Sequence, residues 1–192
     1  MNLTQIWLII LIHQIIFQGL FFAKNILLQK KINQKIKGNN LEATIATLFF
    51  ALFILSAFIM AYFKISFAHF IVINQQIATM IALILIALSL IISAASLFYL
   101  GDSWRVGVLE QQKTTLVTSG IYSISRNPYF VSYILIFIAY TLILQNIILL
   151  ALGILCTILI HLMIRKEERY LHLTHKKLYE EYKKKTPRYL FI

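Results

Sequence analysis

The sequence predicts an all-α integral membrane helical bundle: five transmembrane helices, the last two forming a hairpin, followed by a cytoplasmic amphipathic tail helix. Three observations predict it. Of 192 residues, 60% are hydrophobic and 13% charged, with a mean hydropathy of +0.80, whereas soluble domains carry roughly 25% charged residues. Four apolar blocks, about residues 4–28, 41–63, 77–100 and 129–164, each reach the roughly 20 residues that cross a hydrocarbon layer. The last block would extend about 54 Å as one helix, nearly twice that layer, and the pair Gln145 and Asn146 divides it into halves. The chain is read as a single domain, residues 1–192.

The elements follow in order. The first span begins within a few residues of Met1 without a basic leader or a small-residue cleavage site, so it is read as a retained helix rather than a signal peptide. It carries His13, Gln14 and Gln18, with the glutamines at i and i+4 on one face. Polar groups are costly in hydrocarbon, so this face is expected to point into the bundle, with helix packing the favoured role and cavity lining the alternative. In the third span Ser89, Ser93 and Ser96 lie on a stripe of small residues suited to close helix contact. Gly101 is placed to end that helix, and Trp104 beside Arg105 suits an interfacial anchor. The tail from residue 165 reads as a continuation of span five. Leu171, His175, Leu178 and Tyr182 share one face, Thr186 and Pro187 stop the helix, and Tyr189 to Ile192 are apolar enough to fold back.

Charge sets the topology. Lys24, Lys30, Lys31, Lys35 and Lys37 flank the first connection, Arg105, Lys113 and Arg126 the third, and nine further cations follow Ile164. With five spans, seventeen of the eighteen Lys and Arg residues fall on one side, Lys64 being the exception. That side is expected to be cytoplasmic, with the N-terminus outside. The short loops favour a prokaryotic plasma membrane. The +11 formal charge is accounted for by this bias and by anionic lipid, so no nucleic-acid partner is expected. A single cysteine, Cys156, excludes an intrachain disulfide and a cysteine-based metal cluster. His161, His172 and His175 are the candidate bases, none compelling, and the spacing of three between the latter two reads as a surface pair; no metal is expected.

The polar insert TSGIYSISRNPYF, residues 118–130, carries the local chemistry. Asn is a favoured N-cap and Pro a favoured first helical residue, so span four is expected to start at Pro128. Its free N–H groups, with Arg126 just before them, suit a carboxylate or phosphate. The hairpin returns Arg165, Glu167 and Glu168 to the level of Arg126. The outcome is either a pocket with a basic and an acidic part or an Arg126–glutamate ion pair that pins the hairpin.

The ordered series LVTSGIYSISRNPYF, EERYL and YEEYKKKTPRYLF resembles the signature of the isoprenylcysteine carboxyl methyltransferase family, part of a wider group that includes membrane phospholipid methyltransferases. The resemblance covers roughly residues 100–192. It implies an integral-membrane methyltransferase using S-adenosylmethionine, with residues 101–192 forming the cofactor-binding part behind a three-helix N-terminal part. By position, the cofactor would meet Thr114, Thr115, Leu116, Val117, Gly120, Tyr122, Arg126, Asn127, Pro128, Tyr129, Phe130 and Glu167, with Glu168, Tyr179 and Tyr182 closing the site. Arg165 is the nearest basic residue for a substrate. Asn127, Phe130 and Ser132 replace the family's His, Tyr and Gly, and Met163 stands where the eukaryotic enzymes carry a substrate-contacting arginine. The implied partners are membrane lipids and a lipophilic small-molecule, lipid or prenylated acceptor that presents its nucleophile to the methyl group. A carboxylate is favoured over a phospholipid amine. The alternative from another class is a membrane scaffold or transporter that kept the fold without catalysis.

Overall fold

The computed structural model describes residues 5–33, 36–38, 40–107 and 114–190. Lys35 and Lys113 of the charge pattern, and Phe191 and Ile192 of the tail, lie outside them. Among the described residues are six α-helices: α1 (Ile6–Ile32), α2 (Leu41–Tyr62), α3 (Gln75–Leu100), α4 (Pro128–Leu144), α5 (Ile147–His175) and α6 (Lys177–Lys185). Of these, α1, α2, α3 and α5 are long and apolar enough to cross a membrane, and α4 is a shorter apolar helix of 17 residues, the lower end of the spanning range. Together they form an all-α integral membrane bundle.

Lipid tails are as apolar as leucine, so hydrophobicity does not drive these helices together; close packing and internal hydrogen bonds do. Small residues sit where helices meet: Ala57, Ala78, Ala82, Ser89, Ser93, Ser96 and Ala139 are fully buried. α3 and α4 form the most extensive pair, as the serine stripe predicts. At Gly153 of α5 an added Cβ would lie 3.4 Å from both Phe137 and Phe53. Those two rings meet edge to face with centroids 4.9 Å apart. Leu8, Ile15, Leu48, Leu55, Ile84, Ile91 and Ile158 face outward, as a lipid-facing belt requires.

The α4–α5 hairpin turns at the predicted pair. Gln145 takes φ +42°, and the Asn146 side chain accepts from the N–H groups of Ile148 and Leu149. This turn is stitched to the α2–α3 connection. Phe70 N–H donates to the Gln145 carbonyl, Ile147 N–H to that of Ala68, and the Asn146 amide to that of Phe67. α3 ends on Gly101 at φ +52°.

Three expectations are corrected. Trp104 is not an anchor in the lipid interface; it is 6% exposed and its indole N–H donates to Asn25 Oδ1 at 2.7 Å, so α1 has claimed the polar edge. The tail is not one helix, because Lys176 at φ +46° and ψ −118° breaks it between α5 and α6. The face from Leu171 to Tyr182 is therefore interrupted: Tyr182 is buried and Leu178 is 57% exposed. Asn127 does stand before Pro128, but its side chain makes no capping bond to α4.

Candidate methyltransferase site

α5, at 29 residues, is about 43 Å long and outruns the hydrocarbon layer. Residues 147–164 carry no charge, and residues 165–175 form the charged continuation beyond the membrane. Glu168 there is the centre of a buried ionic cluster. Its Oε1 receives Arg126 Nε and Nη2 at 3.2 and 3.0 Å and the Asn127 amide at 3.1 Å. Its Oε2 receives Arg188 Nε and Nη2 at 3.1 and 2.8 Å. Burial works against its charge, but the bonds from Arg188 and the charge and bonds of Arg126 outweigh it and hold the carboxyl below its usual range. The Arg126–glutamate pair is thus present, and donation from Asn127 Nδ2 to Glu168 and to the Arg188 carbonyl orients that side chain toward the cluster in place of a cap on α4.

The segment after α6 runs as a strap over the start of α4. Arg126 N–H donates to the Pro187 carbonyl, Ser125 Oγ to that of Arg188, and Arg126 Nη1 to that of Thr186. Tyr182 OH donates to the Tyr122 carbonyl at 2.6 Å, and His161 Nδ1 pairs with Tyr189 OH at 2.8 Å. Nothing in the sequence announced Arg188 as part of the cluster; its position one residue after Pro187 was the available sign, since the chain has to turn there.

In front of the strap lies a cavity of about 530 Å³, within the range of small-molecule sites. Its wall includes Thr114, Thr115, Leu116, Val117, Tyr122, Arg126, Asn127, Tyr129, Phe130, Glu167 and Tyr182. Gly120, Pro128, Glu168 and Tyr179 are outside the wall, and Glu168 and Tyr179 are buried behind it. Arg165 is exposed and outside the wall, which Met163, Lys166 and Tyr170 line instead. His161, His172 and His175 do not line it either. Gln18 of α1 lines the cavity, the alternative to the favoured packing role for its face, whereas sequence reasoning missed Asn25 and Gln29 of α1 and Ala46, Thr47 and Phe50 of α2. The readable sign was the spacing of seven and four between those three amides in an apolar helix.

The two adjacent glutamates have opposite environments. Glu168 is neutralised by arginines, whereas Glu167 lines the cavity and no cation among the described residues pairs with it. Burial, with repulsion from Glu168, pushes its carboxyl up to about 7. Glu42, the other acid of the wall, is held by Lys166 at 2.9 Å. At the start of α4 the N–H groups of Tyr129 and Phe130 have no acceptor among the described residues, and both residues line the cavity. The site thus offers an unpaired acid and an unpaired helix start to one ligand.

Residues 77–180, from the start of α3 into α6, match the family model for phospholipid methyltransferase. The chain belongs to the phospholipid methyltransferase family. That match takes in Arg126, Asn127, Lys166, Glu167 and Glu168 but not Lys37, Glu42 or Arg188, and it supports methyl transfer at a membrane. It supports the wider membrane methyltransferase group, not the isoprenylcysteine carboxyl branch in particular, and lends nothing to a prenylated acceptor. The chain has no match among curated proteins. Among the described residues no group of three or more His, Cys, Asp or Glu could hold a metal ion.

Proposed function

We propose that the chain is an S-adenosylmethionine-dependent methyltransferase acting on the amine of a membrane lipid. The observation that carries the reading is the cavity's pairing of an unpartnered Glu167 with the uncapped start of α4. The donor set fits the cofactor. Glu167 suits its cationic groups, the N–H groups of Tyr129 and Phe130 suit its carboxylate, and Leu116, Val117 and Tyr122 supply backbone and ring surface for its adenosine part. When bound, the cofactor supplies an activated methyl group on a sulfonium.

The protein's part is positioning and exclusion of water. The strap fixes the start of α4 through the bonds to Ser125, Arg126 and Asn127, so that the N–H groups and Glu167 keep one relative placement. The apolar side of the wall, Phe21, Phe50, Tyr133 and Ile160, accepts a lipid chain while the polar side meets its head. An amine acceptor is favoured because the family is one of phospholipid methyltransferases.

The test has two arms. Calorimetry on the full-length protein in detergent is expected to show binding of S-adenosylhomocysteine, weakened about ten-fold or more by Glu167→Ala, roughly the worth of one charge-assisted hydrogen bond. No binding by the folded protein would remove the reading. Lipid extracts from cells with and without the protein are then compared by mass spectrometry, with N-methylated lipid as the expected gain. Methyl esters in its place would establish the carboxylate O-methylation favoured by the sequence resemblance.

A further inference from the structure

A one-way chain of side-chain hydrogen bonds runs from the centre of the bundle to the cavity, and its direction is fixed at the far end. Ser89 Oγ donates to the Ile86 carbonyl at 2.7 Å, so toward His13 Nε2, 2.9 Å away, it can only accept. His13 therefore carries its proton on Nε2 and presents a bare Nδ1. Tyr140 OH, 2.6 Å from that nitrogen, must donate to it. The Tyr140 oxygen is left to accept from Gln14 Nε2 at 3.0 Å, and that nitrogen also lies 3.4 Å from the bare His13 Nδ1. Gln14 Oε1 in turn accepts from Gln18 Nε2 at 3.4 Å. His13, Gln14, Ser89 and Tyr140 are all buried, and Gln18 is the member that lines the cavity.

Five groups on three helices thus settle one question at the cavity wall, which way round the Gln18 amide sits. With its nitrogen committed to Gln14, its Oε1 has no donor among the described residues. Pinning α1 to α3 and α4 requires only His13, Ser89 and Tyr140. The extension through Gln14 to Gln18 adds nothing to that purpose, yet it places a polarised amide in a wall otherwise formed there by Phe21, Phe50 and Tyr133. We infer that Gln18 is a specificity-determining residue whose Oε1 accepts a hydrogen bond from an N–H or O–H of the methyl acceptor, held in that orientation by the His13–Tyr140 chain. The inference rests on the proposed reading of the cavity as the acceptor's site. Substrates lacking a donor are disfavoured because they would cover the Gln18 oxygen without giving it a partner.

The experiment uses full-length protein in lipid nanodiscs with S-adenosylhomocysteine present, in a Trp7→Phe background so that the cavity residue Trp104 reports occupancy. The probes are a brominated long-chain alcohol and its methyl ether of equal chain length, which quench tryptophan when bound nearby. The alcohol is expected to half-saturate at a mole fraction roughly three- to ten-fold below that of the ether, the worth of one neutral hydrogen bond. Gln18→Leu removes the preference. So does Gln14→Leu, at a residue outside the cavity wall, because it removes the acceptor that orients the Gln18 amide while the site keeps its lining, an effect a packing role alone would not produce. Equal binding of the two probes by the wild type, quenching by neither, or a preference that survives both substitutions overturns the inference. S-adenosylhomocysteine binding, measured separately, reports on the proposed function and is expected to be unaffected by Gln14→Leu.

Discussion

Glu167 and Glu168 are neighbours in sequence with opposite physical tasks, and the difference comes from what the fold brings to each. Glu168 faces Arg126, Asn127 and Arg188, while Glu167 faces the cavity. Removing one partner of a buried ionic cluster leaves uncompensated charge, so Glu168→Ala is expected to cost about 3–5 kcal/mol, read as a loss of thermal stability in detergent. The pH dependences of the two have opposite sign. The carboxyl of Glu168 is held low, so its stabilisation is present at neutral pH and is lost as pH falls through its folded-state value. That of Glu167 is raised to about 7, so the folded state binds more protons than the unfolded one between the ordinary glutamate range and 7. Its contribution is present at acid pH and is lost as pH rises. Glu167→Gln is accordingly expected to raise the unfolding temperature at pH 8 and to leave it unchanged near pH 4. Sequence showed the pair and its level relative to Arg126. It could not apportion the arginines, because that depends on Arg188 returning on the strap.

At the scale of elements, what was legible depended on locality. The hairpin was readable because a helix start and a helix stop are written in adjacent residues: Gln145 tolerates positive φ, and Asn146 caps the next helix with its own side chain. Pro128 marked the start of α4 for the same reason. The break at Lys176 was not readable, since lysine carries no turn signal and the conformation is imposed by the packing of Tyr179 and Tyr182 under the strap. Trp104 was misread because its partner, Asn25, is 79 residues away. The break has a testable cost. Lys176 sits at φ +46° and ψ −118°, a region open to glycine and strained for other residues. Its N–H and C=O bonds to His172 and Glu180 are made by backbone atoms, and its side chain is exposed. Lys176→Gly is therefore expected to stabilise the protein by about 1 kcal/mol, glycine being the usual residue at a helix end with positive φ. Denaturation midpoints of the two proteins check it, and a loss of stability in the variant would mean that the backbone strain is absent in solution.

Across the whole molecule, the two ends of the bundle are chemically distinct, and that asymmetry predicts how it sits in a membrane. One end gathers Lys31, Arg126, Lys166, Arg188 and the cavity mouth, with the ion pairs Lys31–Asp102 and Lys166–Glu42 on its surface. The other is the stitched junction of the α2–α3 connection with the α4–α5 turn, with Lys64 as its cation. Lys and Arg are retained on the cytoplasmic side during insertion, so the cavity is expected to open toward the cytoplasm and Lys64 to lie outside. Single cysteines decide it, in a Cys156→Ser background. Cys156 is buried, so its replacement removes background without touching the surface. In intact cells a membrane-impermeant maleimide is expected to label Lys64→Cys, and to label Lys184→Cys only after permeabilisation. The reverse pattern would place the strap and Glu167 on the outer side, away from any cytoplasmic supply of methyl donor, and would separate the fold's evident binding cavity from the proposed reaction.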